Sequence, residues 1–467
     1  MSKPKFRRES DSLGVIEIPA DALYGAQTAR AKSNFRISGR TAHPELIRAY
    51  LHVKAAAAVA NSRSKALSST HAKLIVSAVK KILAMPPEQW PEIFVVDPYQ
   101  AGAGTSQNMN VNEVIANLAN RHAGKRLGSN HPIHPNDHVN RSQSTNDTFP
   151  TAMRLAILES SAGLEAELRK LAASLEKKAR AWWDVPKSAR THLQDAVPMS
   201  LGQEFGAYAF TVKRAASWIA SGRDALRELG IGGSAAGTGL TVPRGYPQTV
   251  VRELSRLTGE KLRLNPDLCE AMQSQSPVTY YSSMLRLTAL ELTRICNDLR
   301  LLVSGPMTGL SEIMIPAVQP GSSIMPGKVN PSIVEMANQT WYSVIGYDQT
   351  VALCGQSGQL ELNVMMPMMA YAMIEATTVA THALEALRTR CIDGMEPNEA
   401  RLRKYFESTP QIATALSPRL GYEKTAALVK EALELEVSVP DLVRDRKLLN
   451  EKELQALIEP KRVIHGK

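Results

Sequence analysis

The sequence predicts an all-α fold built around a bundle of long helices. Six segments carry Ala, Leu and Met at the three- and four-residue spacing of an α-helix, over lengths of roughly twenty residues or more. These segments are residues 45–67, 151–182, 202–229, 277–302, 333–353 and 365–390. Strand-like alternation is rare, with residues 14–18 as the best example, and no alternation of strands with helices indicates a parallel sheet.

The long helical segments are too polar to cross a membrane, so they are expected to pack against one another as a bundle. The longest apolar stretches, such as residues 53–60, are too short to span a bilayer. Residues 1–10 are charged and lack the apolar core of a signal peptide. The sequence therefore predicts neither export nor a membrane partner.

Gly-, Ser-, Asn- and Pro-rich connections separate the helices, and connections of this composition often carry function. They comprise residues 100–110, 131–147, 190–198, 230–243 and 305–331. Boundaries near residues 140 and 393 predict three domains. These are a mainly helical N-terminal domain (1–140), a central helix bundle (141–393) and a small helical C-terminal domain (394–467).

Composition is that of an ordinary globular protein, with 467 residues, 44% hydrophobic and 21% charged. The net charge of +10 comes from scattered basic pairs and not from a long basic run, which argues against nucleic-acid binding. The four cysteines are widely spaced without any Cys-x-x-Cys motif. We expect them to be reduced thiols of a cytoplasmic protein.

Two segments have compositions that could bind a cofactor. His131, His134 and His138 are spaced closely enough to bind a metal, but two intervening prolines interrupt the helix that would align them. The Gly-rich residues 232–239 match neither the dinucleotide-binding nor the P-loop pattern, and no strand precedes them. The sequence therefore predicts no metal and no nucleotide cofactor.

Four of the connections share one chemical theme, because each combines hydroxyl or amide side chains with Gly or Pro. Taken singly, each is better explained by turn or helix-cap chemistry. Together they predict a binding site for a small carboxylate. The candidate ligand-binding residues are Thr105, Ser106, Ser144, Thr145, Asn146, Thr191, His192, Ser322, Ser323, Lys328 and Asn330.

The decapeptide Gly-Ser-Ser-Ile-Met-Pro-Gly-Lys-Val-Asn at residues 321–330 resembles the signature loop of the aspartase and class II fumarase superfamily of lyases. The other three donor loops resemble this superfamily in order and content, as does Gly-Gln-Leu-Glu-Leu-Asn-Val at residues 358–364. The resemblance covers nearly the whole chain. It implies a homotetramer with a core of twenty helices, a dicarboxylate substrate, and active sites that each take loops from three subunits.

The resemblance also implies roles for individual residues. Ser322 would be the general base, acting as an alkoxide stabilised by loop amides and by Lys328, while His192 would pair with Glu335. Removal of a proton beside a carboxylate produces a doubly charged aci-carboxylate, which uncharged donors would hold. Those donors would be Thr105, Ser144, Thr145 and Ser323, with Ser106 also in the substrate site. Lys328 and Asn330 would bind the other carboxylate, and Asn146 and Thr191 would lie near the leaving group.

The motifs Gly-Ala-Gly-Thr-Ser and Ser-Thr-Asn resemble aspartase more than fumarase, which implies reversible elimination of ammonia from L-aspartate. Three alternatives stay open at this point: hydration of fumarate, elimination from a substituted aspartate, and a non-enzymatic helical scaffold. Met307 and Thr241 stand where the superfamily usually has Arg and Asn. Loss of the Arg removes a rigid fork of donors, which favours altered loop anchoring or a modified substrate.

Overall fold

A computed structural model describes residues 5–465 and confirms the mainly helical architecture. The α-helices of this range are α1 Ala26–Asn34, α2 Pro44–Arg63, α3 Ser69–Leu83, α4 Thr105–His122, α5 Thr145–Ala181, α6 Leu201–Leu226, α7 Tyr246–Thr258, α8 Leu268–Gln273, α9 Ser276–Leu302, α10 Ser332–Gln356, α11 Met366–Leu387, α12 Glu399–Ser408, α13 Ser417–Leu420, α14 Tyr422–Glu434, α15 Val439–Asp445, α16 Glu451–Ile458 and α17 Pro460–His465.

The strands are short and form only two-stranded pairs within the described range. They are β1 Phe6–Asp11, β2 Gly14–Pro19, β3 Pro186–Thr191, β4 Gln194–Ser200, β5 Glu228–Leu229, β6 Arg263–Leu264, β7 Ile313–Met314 and β8 Glu396–Pro397. Of the four pairs, β5 with β6 is parallel and the others are antiparallel. The strand predicted at residues 14–18 is confirmed as β2.

The six predicted long helices are confirmed as α2, α5, α6, α9, α10 and α11. Their apolar spacing persists over many turns, which makes the helical period unambiguous. In the described range, no helix combines the length and hydropathy that a membrane crossing requires.

Two of the predicted connections are partly wrong. Residues 190–198 do not form an open loop, because they belong to the antiparallel hairpin of β3 and β4. Residues 100–110 include the first turns of α4, which begins at Thr105. Both segments are rich in polar residues, and polarity alone does not distinguish a loop from a polar helix start or an exposed hairpin.

Two compact units divide the chain. The first consists of Met1–Glu165, Ser217–Leu287 and Tyr342–Thr381, and the second of Ala166–Ala216, Thr288–Trp341 and His382–Lys467. The predicted three-domain division stays a prediction. Within the second unit, buried apolar residues between Phe406 and Ile464 form a hydrophobic cluster of their own, which supports a C-terminal domain with its own core.

Helix α4 is buried along most of its length in the first unit, although it contains five buried asparagines. The amides of three of them, Asn110, Asn117 and Asn120, bond to the backbone of surrounding segments. Asn110 donates to Ile93 O at 2.9 Å and accepts from Val95 N at 3.0 Å. Asn120 both donates to Ile133 O and accepts from Ile133 N, each at 2.8 Å. These bonds replace backbone pairing that the irregular loops lack.

Candidate active site

The predicted donors of the first unit cluster at the starts of two helices. Thr105 is the first residue of α4 and Thr145 the first residue of α5. Asn108, in the first turn of α4, donates from Nδ2 to Thr145 Oγ1 at 3.2 Å, so the two helix starts lie side by side. Free N–H groups at helix N-termini favour anions, which suits a carboxylate ligand.

The approach to α4 requires glycine. Gly104 precedes Thr105 with a φ of 82°, in the left-handed region. A Cβ at this position would overlap the ring of Phe149, which belongs to α5. The Gly-Ala-Gly-Thr-Ser motif therefore allows the start of α4 to approach α5 closely.

The Ser144-Thr145-Asn146 turn is held by the buried carboxylate of Asp147. One oxygen of Asp147 accepts from Ser144 N, and the other accepts from Gly232 N and Ser234 N, all at 3.0 Å. Burial raises the pKa of Asp147 to about 7, against the opposite effect of these three N–H donors. The carboxylate thus joins the turn to the Gly-rich connection at residues 230–243.

Asn146 makes a second link to the same Gly-rich connection. Its Nδ2 donates to Ala235 O at 2.8 Å, while its backbone N–H donates to Ser144 Oγ at 3.2 Å. The side chain of Asn146 is only partly buried. The Gly-rich connection, which the sequence did not associate with any ligand, therefore fixes the orientation of a predicted site residue.

Lys54 of α2 lies fully buried behind these donors. Its Nζ donates to Asn108 Oδ1 at 2.7 Å and to Asn140 Oδ1 and Gln143 Oε1 at 3.0 Å each. Burial lowers the pKa of Lys54 to about 7. Sequence patterns did not predict this cluster. The single lysine within the otherwise apolar residues 53–60 is the signal that could have indicated a buried charge.

In the second unit, the signature loop is closed by its own backbone. Gly321 N donates to Lys328 O at 2.8 Å, and Asn330 Nδ2 donates to Gly321 O at 2.6 Å. A Cβ at Gly321 would overlap Lys328 O. Glycine is thus required at this position, and the Asn330 amide, predicted to bind a carboxylate, donates to loop backbone in this structure.

Ser322 Oγ receives two backbone N–H groups from its own loop. Its Oγ accepts from Ile324 N at 3.2 Å and from Met325 N at 3.1 Å. Two N–H donors on one hydroxyl oxygen favour its deprotonated form. Ser323 and Lys328 are exposed, as expected of groups that receive a ligand from outside the loop.

A cavity of about 1010 Å³ lies beside the signature loop in the second unit. Its lining includes Lys328, Asn330 and Glu335, together with apolar side chains such as Met314 and Val329. Glu335 reaches it from the first turn of α10. Three of the predicted site residues therefore line one common space.

Thr191 and His192 lie at the tip of the β3–β4 hairpin. Thr191 ends β3, and the two-residue turn consists of His192 and Leu193 with φ values of 56° and 60°. All three residues are exposed. The hairpin presents the imidazole and the hydroxyl to solvent in this chain.

The base of this hairpin is fixed by a buried carboxylate that the sequence analysis missed. Glu312, fully buried, pairs with Lys187 Nζ at 3.1 Å and with Arg190 Nη1 at 2.7 Å. The register shift between Ser188 and Arg190 helps both cations of β3 to face it. Glu312 precedes β7 and the signature loop, so one ion-pair cluster connects two predicted site segments.

The predicted site residues thus form two groups, one in each unit. Thr105, Ser106, Ser144, Thr145 and Asn146 belong to the first unit, and the remaining seven to the second. In the described chain, no hydrogen bond or ion pair joins His192 to Glu335. That pairing, and the individual roles of these residues, stay predictions, as does the sharing of each site among three subunits.

Two of the three closely spaced histidines accept hydrogen bonds from backbone N–H groups. His134 Nδ1 accepts from Asn136 N and Asp137 N, both at 3.2 Å, and His138 Nδ1 accepts from His134 N at 2.8 Å. Each therefore satisfies backbone donors of a short turn. Within residues 5–465, no group of three or more His, Cys, Asp or Glu side chains is arranged to hold a metal ion.

Known proteins resemble this chain along almost its entire length. Residues 14–346 match the family described as Lyase, and residues 412–465 match the family described as Fumarase C C-terminus. Aspartate ammonia-lyase of Helicobacter pylori strain J99 is 42% identical over 461 residues, covering 98% of each chain. Aspartate ammonia-lyase of Pseudomonas aeruginosa is 43% identical over 461 residues, covering 98% of this chain and 97% of its own.

Solved structures agree. A protein from Brucella melitensis described as fumarate lyase:delta crystallin is 44% identical, with a TM-score of 0.94 over 98% of this chain and 99% of its own. The class II fumarase of Schistosoma mansoni is 33% identical, with a TM-score of 0.93 over 98% and 99%. The fold and these similarities together identify the chain as a lyase. The chain belongs to the superfamily of aspartases and class II fumarases.

Proposed function

We propose that this enzyme catalyses the reversible elimination of ammonia from L-aspartate to give fumarate. The observation that carries the proposal is full-length similarity to proteins named aspartate ammonia-lyase, at 42% to 43% identity over nearly all of each chain. The donor loops described above supply chemistry that suits this reaction.

Elimination begins with removal of a proton from the carbon beside the β-carboxylate, and Ser322 is the proposed base. A free serine hydroxyl is a weak base, so it must lose its proton before it can accept one from the substrate. The N–H groups of Ile324 and Met325 point at Ser322 Oγ and favour the alkoxide. Lys328, six residues further on, supplies a positive charge in the same loop.

The intermediate concentrates two negative charges on one carboxyl group, so donors fixed in advance accelerate the reaction by binding it more tightly than the substrate. The first unit offers Thr105, Ser144 and Thr145 at two adjacent helix starts. Ser323 would contribute a further hydroxyl. Lys328 and Asn330 are proposed to hold the other carboxylate, with Ser106 nearby.

The second half of the reaction releases the amine. Ammonium leaves with the proton that it already carries, whereas hydroxide would need a general acid. Asn146, Thr191 and His192 are the proposed neighbours of the leaving group, and Glu335 would orient His192. A site without an obligatory proton donor is consistent with loss of ammonia.

We further propose that the active enzyme is a homotetramer of the cytoplasm. Long helices carry exposed apolar side chains, among them Tyr280 and Leu290 on α9 and Tyr342 and Leu353 on α10, each at least 42% exposed. Such side chains are typical of surfaces covered by further subunits. The four cysteines are free thiols, as a reducing compartment would keep them.

A second candidate is elimination from a substituted substrate, favoured by Met307. Its side chain is 85% exposed and replaces a charged fork with an apolar, flexible group. Ser304, Gly305 and Pro306, which precede it, line the cavity beside the signature loop. An N-alkyl aspartate would place its apolar substituent beside this position. A charged arginine there would lose hydration, whereas methionine would pack against the substituent.

Parallel assays with L-aspartate, L-malate and N-substituted aspartates distinguish these activities. Each product contains a double bond conjugated with carboxylates, so ultraviolet absorbance reports all of them on one scale. We expect kcat/KM to be highest with L-aspartate. Higher kcat/KM with malate would make the enzyme a fumarase, and higher kcat/KM with an N-alkyl aspartate would establish the second candidate.

A further inference from the structure

The buried Lys54 has hydrogen-bond partners that match its charged form. The three oxygens that receive its N–H bonds come from Asn108, Asn140 and Gln143, at 2.7 to 3.0 Å. An ammonium has three N–H donors and no acceptor, so three oxygens match it fully. A neutral amine would turn a lone pair toward one of these oxygens.

Two of the three amides are oriented by other bonds. Gln143 Nε2 donates to Val139 O and Arg141 O at 3.0 Å each, and Asn140 Nδ2 donates to Gln143 O at 3.1 Å. Their NH₂ groups are therefore committed to backbone carbonyls, and their oxygens face Lys54. These oxygens form a binding site for a cation, which distinguishes it from a hydrophobic pocket that contains a lysine without acceptors.

The third amide, that of Asn108, links Lys54 to the proposed substrate site. Asn108 presents Oδ1 to Lys54, and its Nδ2 donates to both Thr145 Oγ1 and Asn140 Oδ1, each at 3.2 Å. Because Thr145 Oγ1 accepts this bond, its hydroxyl proton is left to donate elsewhere. If the Oδ1 and Nδ2 atoms of Asn108 exchanged places, Thr145 would have to donate its hydroxyl proton to the amide oxygen instead.

We propose that Lys54 is a positioning residue that fixes Asn108 and Thr145 so that Thr145 donates to the substrate carboxylate, and that its buried charge stabilises the dianionic intermediate. This inference rests on the proposed elimination reaction. Lys54 is fully buried, and its Nζ bonds to the side-chain amides. The uncharged donors at the surface of the site would thus have a positive charge directly behind them.

A buried cation acts more strongly on nearby charge than an exposed one, because little water screens it. The charged partner that acts on Lys54 is the buried Asp147, whose carboxylate is held by backbone N–H groups of Ser144, Gly232 and Ser234. Burial lowers the pKa of Lys54 to about 7, so the added negative charge of a dianion would favour its protonated form.

The test compares the wild-type enzyme with Lys54→Met, which keeps much of the side-chain volume but cannot donate. The probes are succinate, which mimics the substrate carboxylates, and the nitronate anion of 3-nitropropanoate, which carries extra charge at the position of the aci-carboxylate. Calorimetry measures both affinities. We expect Lys54→Met to lose about a hundredfold in kcat/KM for L-aspartate and in nitronate affinity, with a loss of less than tenfold for succinate.

Val53→Ala is the matched control, because Val53 is an equally buried neighbour on α2 and has no part in the amide cluster. It should lower the melting temperature without changing the ratio of the two affinities. If Lys54→Met retains wild-type kcat/KM, or loses both affinities by the same factor, the proposal is wrong.

Asn108→Asp serves as a second variant in case Lys54→Met does not fold. An aspartate keeps an acceptor for Lys54 Nζ but removes the donor to Thr145, so folding should be preserved and nitronate affinity should fall about tenfold or more. An unchanged affinity ratio in Asn108→Asp would overturn the relay. Wild-type turnover of L-aspartate tests the proposed function separately, and a wild-type enzyme that binds neither probe overturns both.

Discussion

At the residue scale, the chemistry proposed for Ser322 depends on backbone geometry. The loop turns so that two N–H groups converge on one Oγ, and Gly321 is required because a Cβ there would overlap the backbone of Lys328. Neighbouring residues of the loop would therefore shape the proposed base. A substitution that disturbs the turn should impair catalysis as severely as loss of the hydroxyl.

Ser322→Ala is predicted to lower kcat by about a thousandfold, since general-base catalysis contributes factors of that order. KM should change little, because the hydroxyl accepts a proton and does not anchor the substrate. Ser408→Ala is a suitable control, as Ser408 Oγ only donates to Lys404 O on an exposed helix. Equal kcat in wild-type and Ser322→Ala enzymes would remove Ser322 from the role of base.

Sequence patterns indicated most of the polar side chains that are proposed to face a ligand, since hydroxyls, amides and Lys328 stand in Gly- and Pro-rich loops. They did not indicate Lys54, Asp147 or Glu312, which act from the interior. A buried charge is recognisable only when its partners are known, and those partners come from distant parts of the chain.

At the element scale, Asp97 joins two connections of the first unit. Its carboxylate accepts from Ser38 N at 2.8 Å, Gly39 N at 3.2 Å and Tyr99 N at 2.9 Å. Burial acts to raise the pKa of Asp97, but these bonds outweigh it and the pKa lies below its ordinary value. Folding therefore favours the ionised carboxylate.

Asp97→Asn is predicted to lower the free energy of unfolding by about 1–3 kcal/mol at pH 7, as expected for bonds to a charged group. A carboxylate whose pKa is lower in the folded state stabilises above its unfolded value of about 4, and this contribution is lost as the pH falls through the folded value. Urea unfolding at pH 7 and pH 3 measures the difference. Asp21→Asn, at an exposed position, is the control, and a difference that grows toward pH 3 would contradict the account.

The hairpin of β3 and β4 explains why some elements were not predicted. Two-residue hairpin turns need positive φ at both central residues and are usually recognised by Asn or Gly. Here His192 and Leu193 fill those positions, so the usual sequence signal is missing. The long helices were predicted correctly because their periodicity repeats over many turns, whereas a short turn held by Glu312 depends on tertiary contacts.

At the scale of the whole molecule, the proposed tetramer makes activity depend on assembly. Leu290 is 45% exposed on α9, one of the long helices expected in the shared core. Leu290→Glu should therefore reduce the assembly state measured by light scattering and abolish activity, because each proposed site would need loops from several subunits. Leu433→Glu, on the exposed face of α14, is the control and should leave both unchanged. A fully active Leu290→Glu monomer would contradict shared sites.

The central claim is that this chain releases ammonia from L-aspartate. The most direct measurement follows ammonia and fumarate together when purified enzyme is given L-aspartate as its only substrate. We predict that both appear in equal amounts, and that both appear about a thousandfold more slowly with Ser322→Ala. Absence of ammonia from L-aspartate, in an enzyme that converts L-malate to fumarate, would contradict it.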